Sequence, residues 1–416
     1  MRSKRLLVGG MSIVAVLVVT LFVTGSASAQ ETVLHSFNYN DGDEPIAGVI
    51  LDASGNLYGT TFYGGAFGNG TVFRLTPDAG GWRDTVLYSF NGDGGGGFWA
   101  NTRLIFDGAG NLYGTTFFGG AFGTGTVFEL SPAEDGTWSE RTLHSFASHG
   151  GDGAYPHAGL TLDSSGNLYG TTSSGGAGYG TVFELTPASG GTWTETVLLS
   201  FSAGGGANPY SSLVLDASGN LYGTTASGGK SSACRDGCGT VFELSAHEHW
   251  AEKVIHTFDN TDGANPYGGL IFDGSGNLYG TTSQGAEGNF GTVFELSPAP
   301  GGWRLKTLHN FNSNGTDGYN SSATLIFDTA GNLYGTTLSG GAHGQGTVFE
   351  LSPPAGGNWT EKILSSFGSA GRNGYDPTPG LVLDSDGNLY GTTVSGGGGT
   401  NPNCINGCGT VYQITP

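Results

Sequence analysis

The chain has 416 residues, 80 of them Gly, and a formal net charge of -20. There is no G-X-Y period, which excludes collagen, and an aromatic content of 12% argues against a disordered chain. The excess of acids argues against a nucleic-acid partner, because phosphate binding needs clustered Lys and Arg. Many Gly residues together with many aromatic residues indicate short strands joined by tight turns.

The first 29 residues have the pattern of a signal peptide. Three basic residues near the start precede an apolar stretch at residues 6–24, and Ala27-Ser28-Ala29 fits a cleavage site. We therefore expect cleavage before Gln30 and a secreted, periplasmic or cell-surface protein; the alternative is an uncleaved membrane anchor. No later stretch is apolar enough to span a bilayer. The expected domains are a signal peptide at 1–29 and one folded domain at 30–416.

Three strings of residues recur seven times after the signal peptide. One is GNLYGTT, which begins at Gly residues 55, 110, 166, 219, 276, 331 and 387. A string of the type GTVFEL follows each copy, and a third string of the type ETVLHSF ends in Phe. With the short run before each Asp, every period predicts four strands, and Asp-x-x-Gly-Asn predicts the hairpin turn between the first two.

Four strands in about 55 residues is the size of one propeller blade, and seven blades close a ring. A closed ring is favoured over an open solenoid because the terminal copies are as regular as the others. The third string begins only two residues after the signal peptide, so the mature chain starts with a lone fourth strand. We expect residues 31–37 to complete the last blade beside residues 409–414; the alternative is a shifted phase with seven complete blades. The predicted fold is an all-β, seven-bladed β-propeller of four-stranded blades.

The order Pro-x-x-x-Leu-x-x-Asp-x-x-Gly-Asn-Leu-Tyr resembles the NHL type of propeller repeat. The fuller pattern, with GNLYGTT, a Gly-Gly loop, GTVFEL and W-x-E-x-x-L-x-S-F, is similar to the Gloeo/Verruco repeat of the choice-of-anchor tandem repeat proteins. The similarity covers essentially the whole mature chain. It implies a secreted bacterial propeller whose biochemical role is not established.

The four cysteines form two pairs with identical spacing, Cys234 with Cys238 and Cys404 with Cys408. Both pairs lie between the second and third predicted strands, in repeats four and seven. An even cysteine count in an exported protein indicates disulfides. We therefore expect two local bridges. A shared zinc site would require repeats four and seven to approach across the ring, and the C-x-x-x-C spacing does not favour a redox centre.

Repeated His and Asp residues are expected to be structural. Four His residues share one position in the fourth strand, namely His35, His144, His256 and His309. The Asp before each Gly-Asn should cap its turn. Further acids lie irregularly in the loops between blades, at Asp41, Asp43, Glu44, Asp152, Asp262, Asp317 and Asp376. We expect these to be solvated; Ca²⁺ bound through their oxygens is the alternative, and no other cofactor is indicated.

In a symmetric ring, function is expected where the repeats differ. Eight aromatic residues concentrate in the loops of repeats one and two and in the connection between them: Phe62, Tyr63, Phe67, Phe98, Trp99, Phe117, Phe118 and Phe122. Tyr155 and His157, before the next inner strand, complete the candidate set. These residues predict either a binding platform on one loop face or a cluster that covers Gly-rich loops. The six Trp residues at the repeated position should be buried in both cases.

No motif of a hydrolase, zinc protease or nucleotide-binding site occurs, so no catalytic residue is predicted. We expect a secreted, monomeric binding or scaffold module that recognises a glycan or a protein, rather than an enzyme. One alternative is a polysaccharide lyase or glycosidase with its site at the channel mouth. The other is a purely structural envelope protein.

Overall fold

The computed structural model describes residues 29–92, 95–354, 356–368, 373–398 and 401–416. The signal peptide predicted at residues 1–29 therefore lies, except for Ala29, outside the described residues. Within them the chain forms strands and loops, with 3₁₀ turns at Ser189–Gly191, Ala246–Glu248 and Glu287–Asn289. None of the described segments is a helix long and apolar enough to cross a membrane.

Seven antiparallel four-stranded sheets follow one another and form the blades of a propeller, as the repeats predict. The innermost strands are Val49–Leu51, Ile105–Phe106, Thr161–Leu162, Val214–Leu215, Ile271–Phe272, Ile326–Phe327 and Val382–Leu383. The second strands are Leu57–Thr61, Leu112–Gly119, Leu168–Thr172, Leu221–Thr225, Leu278–Thr282, Leu333–Thr337 and Leu389–Ser395. The third strands are Thr71–Asp78, Thr126–Pro132, Thr181–Pro187, Thr240–Ser245, Thr292–Ala299, Thr347–Ser352 and Thr410–Thr415.

The fourth, outermost strands are Gly81–Ser89, Trp138–Ser145, Trp193–Ser200, Ala251–Thr257, Gly302–Asn310, Thr360–Ser366 and Gln30–Ser36. Short additional strands lie in the connections, at Gly97–Ala100, Gly153–Ala154, Ser174–Gly175, Gly318–Tyr319, Ser339–Gly340 and Tyr375–Pro377. We number the blades one to seven in chain order, so that Gln30–Ser36 belongs to blade seven.

The turn between the first two strands of each blade is capped by its Asp, as predicted. In blade three, Asp163 accepts hydrogen bonds from the backbone N–H groups of Ser165 (2.8 Å) and Asn167 (2.9 Å). It also accepts from Asn167 Nδ2 (2.9 Å) and from the hydroxyl of Tyr169 (3.2 Å). Burial acts to raise the pKa of Asp163, but these hydrogen bonds outweigh it and the pKa is lowered. The other six blades repeat this network.

The hydrophobic core lies between adjacent blades. The Phe that follows each fourth strand packs against an aromatic ring in the third strand of the next blade. Six of these contacts are edge-on, as for Phe146 on Phe183 at 5.1 Å between ring centroids, and Phe367 on Tyr412 is tilted. Phe146 and Phe183 are both fully buried. The Gly of each GNLYGTT second strand makes room for the third-strand ring, because a Cβ at Gly170 would lie 2.5 Å from Phe183. The repeat therefore reproduces its packing from one interface to the next.

The N-terminal strand closes the ring, as predicted. Gln30–Ser36 pairs with Thr410–Thr415, and Glu31 stands opposite Ile414. Phe37 then packs on Phe73 of blade one at 5.0 Å. The last blade is thus built from both ends of the folded domain.

The two predicted disulfides are present, Cys234–Cys238 in blade four and Cys404–Cys408 in blade seven.

The prediction for the repeated Trp residues is wrong in degree, because all six are partly rather than fully buried. Trp82, for example, contacts Tyr390 of the preceding blade at 6.1 Å. These Trp residues lie at or just before the start of the outermost strand. Four of the indole rings contact a Tyr of the preceding blade.

Candidate ligand site at the channel mouth

Seven connections lead from an outer strand to the next inner strand, and one residue in each has the same backbone geometry. These crossover residues lie eight positions before the turn Asp and have φ between 53° and 61°: Glu44, Trp99, Tyr155, Asn208, Asn265, Asn320 and Asp376. Each N–H donates to a loop carbonyl of the preceding blade at 2.9–3.1 Å. The backbone at the crossover residue is therefore the same in all seven blades, whereas the side chain differs.

Two of the crossover residues, Trp99 and Tyr155, are of types that rarely adopt a positive φ. Asn tolerates positive φ well, and it occupies the position in blades four, five and six. Trp99 and Tyr155 carry large side chains in the same left-handed region, at φ of 61° and 57°. Such backbone strain costs on the order of 1–3 kcal/mol and is concentrated at functional sites in proteins. Blades two and three therefore place aromatic rings at the rim despite an unfavourable backbone.

Ten rings form a continuous row around part of this rim. We call it the aromatic arc, and neighbouring ring centroids in it lie 4.5–5.9 Å apart. Its members are Phe62, Tyr63, Phe98, Trp99, Phe117, Phe118, Tyr155, His157, Tyr210 and Tyr267. The arc extends from blade one to blade five, farther than the two blades that the sequence indicated.

The aromatic arc is partly covered by its own members. Nine of its rings are half-buried and Tyr267 is 39% exposed. Most contacts are edge-to-face, and Trp99 alone touches Phe62, Tyr63, Phe98 and Phe118. The rings therefore pack on one another and still present part of their surface to solvent.

Two predicted residues lie outside the aromatic arc. Phe67 is 60% exposed and Phe122 is 55% exposed at the tips of the loops after the second strands. Phe122 contacts His149 at 5.5 Å rather than a member of the arc. The remaining eight predicted residues, including Tyr155 and His157, are all members.

The arc borders a central cavity of about 470 Å³ to which all seven blades contribute. His157, Tyr210 and Tyr267 belong both to the arc and to the cavity wall. The rest of the wall is mainly apolar, with side chains such as Ile105 and Val214 from the inner strands. This volume lies within the range of about 300–1,000 Å³ that is typical of small-molecule sites.

Arg103 is the one Arg, Lys, Asp or Glu among the described residues that line the cavity. The equivalent positions in the other blades hold small residues, namely Gly48, Gly159, Ser212, Gly269, Thr324 and Gly380. Its Nη2 lies 3.5 Å from the carbonyl oxygen of Leu381, and its buried Nε has no hydrogen-bond partner within the described part of the chain. Burial lowers the pKa of Arg103, but a guanidinium stays protonated in proteins. The cavity therefore contains an incompletely paired positive charge.

A second polar pair lines the same cavity. Asn101 Nδ2 and His157 Nδ1 are 3.0 Å apart. Burial lowers the pKa of His157 to about 4, so the imidazole is neutral at pH 7. With the amide as donor to Nδ1, the ring proton lies on Nε2. Asn101 Oδ1 is buried and, among the described residues, has no hydrogen-bond partner. A buried acceptor without a partner and a neutral imidazole thus belong to residues that line a ligand-sized space.

Tyr210, Tyr267, Asn101 and Arg103 were missed by sequence reasoning. A usable signal existed, because the first three occupy the position two residues after a crossover residue, as His157 does. Arg103 lies four residues after Trp99, where the six other repeats have Gly, Ser or Thr. Comparison of the repeats column by column at the innermost strand would have identified all four residues.

The repeats assign the chain to a family of propeller proteins. A sequence profile of the Gloeobacter/Verrucomicrobia repeat matches residues 18–235 and 231–416. The chain therefore belongs to the Gloeobacter/Verrucomicrobia repeat family. No functionally curated protein matches its sequence.

Solved structures with a similar arrangement include three proteins described as enzymes. A protein from Thermus thermophilus, described as a putative oxidoreductase (glucose dehydrogenase), is 17% identical, with a TM-score of 0.46 over 76% of this chain and 96% of that one. A luciferin-regenerating enzyme is 13% identical, with a TM-score of 0.42 over 76% and 91%. A protein from Bacteroides uniformis, described as a putative 6-phosphogluconolactonase, is 15% identical, with a TM-score of 0.48 over 84% and 89%. Similarity at this level does not transfer an activity to this chain.

Proposed function

We propose that this protein is an exported binding module that recognises an acidic oligosaccharide at the channel mouth. The observation that carries the proposal is the continuity of the aromatic arc with a cavity that holds the incompletely paired Arg103. Flat aromatic faces suit stacking on the apolar faces of sugar rings. A guanidinium binds a carboxylate through two parallel hydrogen bonds. Asn101 Oδ1 would accept a hydrogen bond from a sugar hydroxyl.

Export and monomeric state are parts of the same proposal. Two disulfides fit an oxidising compartment, and the basic and apolar segments at residues 1–29 have the sequence pattern of an export signal. All seven blades line one cavity, so a single chain contains the complete site. A protein partner on the arc is the competing ligand class, and the experiment below separates the two.

A catalytic role at the same site is disfavoured by the chemistry of the cavity. His157 and its neighbour Tyr210 are the candidate bases of the cavity wall. A pKa near 4 makes His157 a weak base at neutral pH, and burial raises the pKa of Tyr210, so its hydroxyl stays protonated there. The cavity wall contains no Asp or Glu within the described ranges, whereas most glycosidases need two carboxylates. Binding without turnover is therefore the better supported function.

The test is a glycan array followed by calorimetry on uronate-containing oligosaccharides and their methyl esters. We expect binding of the free acids, with affinity at least about tenfold weaker for the esters, because a single charge-assisted hydrogen bond is worth about 1.5–3 kcal/mol. Arg103→Gln should abolish this preference. Trp99→Ala should weaken binding of acids and esters alike, since it removes a ring contact.

Phe67→Ala is the matched control, because Phe67 is aromatic, exposed and outside the arc. It should leave affinity unchanged. Equal binding of acids and esters by the unmodified protein would refute the acidic-glycan assignment, and binding only to a protein would replace it. Release of unsaturated or shortened products from a bound oligosaccharide would establish an enzyme instead.

A further inference from the structure

Three grooves on the outside of the ring bring one imidazole and two carboxylates together. In each, a His from the fourth strand of one blade and an Asp from the following loop meet an acid from the fourth strand of the next blade. The sets are His35 with Asp41 and Asp84, His144 with Asp152 and Glu195, and His309 with Asp317 and Glu361. Within each set, one nitrogen and two oxygens lie within 4.8 Å of one another. We call these the three-ligand grooves.

A fourth groove provides an internal comparison. His256 and Asp262 occupy the equivalent positions, but the next blade has Leu305 where the other grooves have an acid. There His256 Nε2 and Asp262 Oδ2 form a direct hydrogen bond of 2.8 Å. In the three-ligand grooves the same two atoms are 3.3, 3.4 and 3.3 Å apart, and the His Nε2 forms no hydrogen bond with any described residue.

The longer separation fits two ligands of one metal ion better than a hydrogen bond. A charge-assisted N–H···O bond is about 2.7–2.9 Å long. Two ligands of a tetrahedral ion with bonds of about 2.0–2.1 Å are about 3.3–3.4 Å apart. In the groove between blades five and six, His309 Nε2 lies 3.3 Å from Asp317 Oδ2 and 3.5 Å from Glu361 Oε1.

The surroundings hold these ligands in place. Asp317 is only 3% exposed, and its Oδ2 accepts hydrogen bonds from the backbone N–H of Asn312 at 3.0 Å and from Asn312 Nδ2 at 2.6 Å. The ring of His309 contacts Phe311 edge-on at 5.0 Å. Such outer contacts orient the ligands of protein metal sites. The matching His rings in the other two grooves make the same contact, with Phe37 and Phe146.

The charge balance also calls for a cation. Each groove places two carboxyl groups beside one imidazole, so the group is negative when both carboxyls are ionised, even with a protonated His. Among the described residues no Lys or Arg forms an ion pair with these six acids. One imidazole nitrogen with two carboxylate oxygens suits Zn²⁺, whereas Ca²⁺ prefers six to eight oxygen ligands.

We propose that each three-ligand groove binds one Zn²⁺ or a similar divalent transition-metal ion, with a fourth position left to water. Two ligands come from one blade and its loop and the third from the next blade. Bound metal would thus cross-link blades seven and one, two and three, and five and six. This site, which includes a nitrogen ligand, takes the place of the Ca²⁺ site considered from the sequence. The proposal is independent of the ligand site at the channel mouth.

The experiment is calorimetry and native mass spectrometry of chelator-treated protein, without a polyhistidine tag, titrated with ZnCl₂. We expect three equivalents and a higher Tm in the presence of metal. Each of the single variants Asp84→Leu, Glu195→Leu and Glu361→Leu, which copy the groove that contains Leu305, should leave two equivalents. The triple variant Asp84→Leu, Glu195→Leu and Glu361→Leu should lose all three, with affinity reduced at least about 100-fold.

Asp262→Asn, in the fourth groove, is the matched control and should still bind three equivalents. CoCl₂ gives an independent signature, because Co²⁺ in a tetrahedral site has visible absorption bands that should disappear in the triple variant. The single variants keep the test valid if the triple variant does not fold. Absence of Zn²⁺ and Co²⁺ binding, or three equivalents retained by the triple variant or by all three single variants, would overturn the proposal.

Discussion

The crossover residues of blades two and three share their backbone geometry with those of blades five and six and differ from them in their side chains. All four crossover residues have φ between 54° and 61°, and all donate an N–H to the preceding blade at 2.9–3.1 Å. Blades five and six have Asn265 and Asn320 there, whereas blades two and three have Trp99 and Tyr155. The shared hydrogen bond is made by the backbone, so it does not depend on the side chain.

This comparison separates a repeated frame from a variable rim. The turn Asp, the buried Phe pairs and the crossover hydrogen bonds recur in blade after blade and hold the ring together. The aromatic arc is built on the same crossover backbone, but its side chains differ from those at the equivalent positions of the other repeats. Changes in the frame should therefore alter stability most, and changes in the rim should alter stability little and ligand binding more.

Removal of the closing strand should have the largest effect on the frame. Deletion of residues 30–37 leaves Thr410–Thr415 with an unpaired edge and removes the fully buried Phe37. Loss of a buried Phe alone costs about 3–5 kcal/mol. We expect a much lower Tm and aggregation, measured by calorimetry and light scattering. An unchanged Tm would contradict closure by this strand.

Asp163→Ala tests one repeated turn. It removes an acceptor of four hydrogen bonds, to Ser165, Asn167 and Tyr169. We expect a loss of about 3–4 kcal/mol in the free energy of unfolding, measured in urea. Asp163→Asn is the control and should cost less, because its amide oxygen can still accept the backbone hydrogen bonds. Equal losses in the two variants would show that capping is not the source.

The pH dependence of the free energy of unfolding tests whether His157 at the rim is buried and neutral. Burial lowers its pKa to about 4 from 6.5, so the unfolded chain binds this proton at a higher pH than the folded chain does. The contribution of His157 to the free energy of unfolding is therefore fully present above pH 6.5. It falls as the pH drops towards 4, by up to about 3 kcal/mol. His157→Gln should lose less stability than the unmodified protein between about pH 7 and 4.5. Identical pH profiles in urea titrations would refute a buried neutral His157.

The smallest expected effect concerns the strained backbone at Trp99. Trp99→Asn and Trp99→Ala both remove the ring, but Asn tolerates positive φ better. We expect the Asn variant to be more stable by about 1 kcal/mol. Asn320→Ala is the matched control, because Asn320 has the same left-handed backbone and is a residue type that tolerates it. This variant should lose a similar amount of stability. If Asn and Ala are equivalent at residue 99, the left-handed backbone carries no measurable strain there.

The sequence determined the fold because the fold is a repeat of local patterns. Seven copies of one string set the number of blades, and Asp163 with Asn167 specifies a turn over only five residues. The spacing of Cys234 and Cys238 likewise identified a bridge that needs no distant contact. The closing strand followed from counting, since the first copy lacks the strands that should precede it.

The tertiary structure decided which residues of different blades meet. His309 and Glu361 lie 52 positions apart in the sequence, and their convergence in one groove depends on the packing of adjacent blades. Arg103 likewise reaches Leu381 across the channel, from blade two to blade seven. Local patterns fix turns, strands and registers, because these involve neighbours in the chain. The ring and the cavity arise only when all seven blades close, and each outer groove arises only when two adjacent blades pack, so no segment taken alone contains that information.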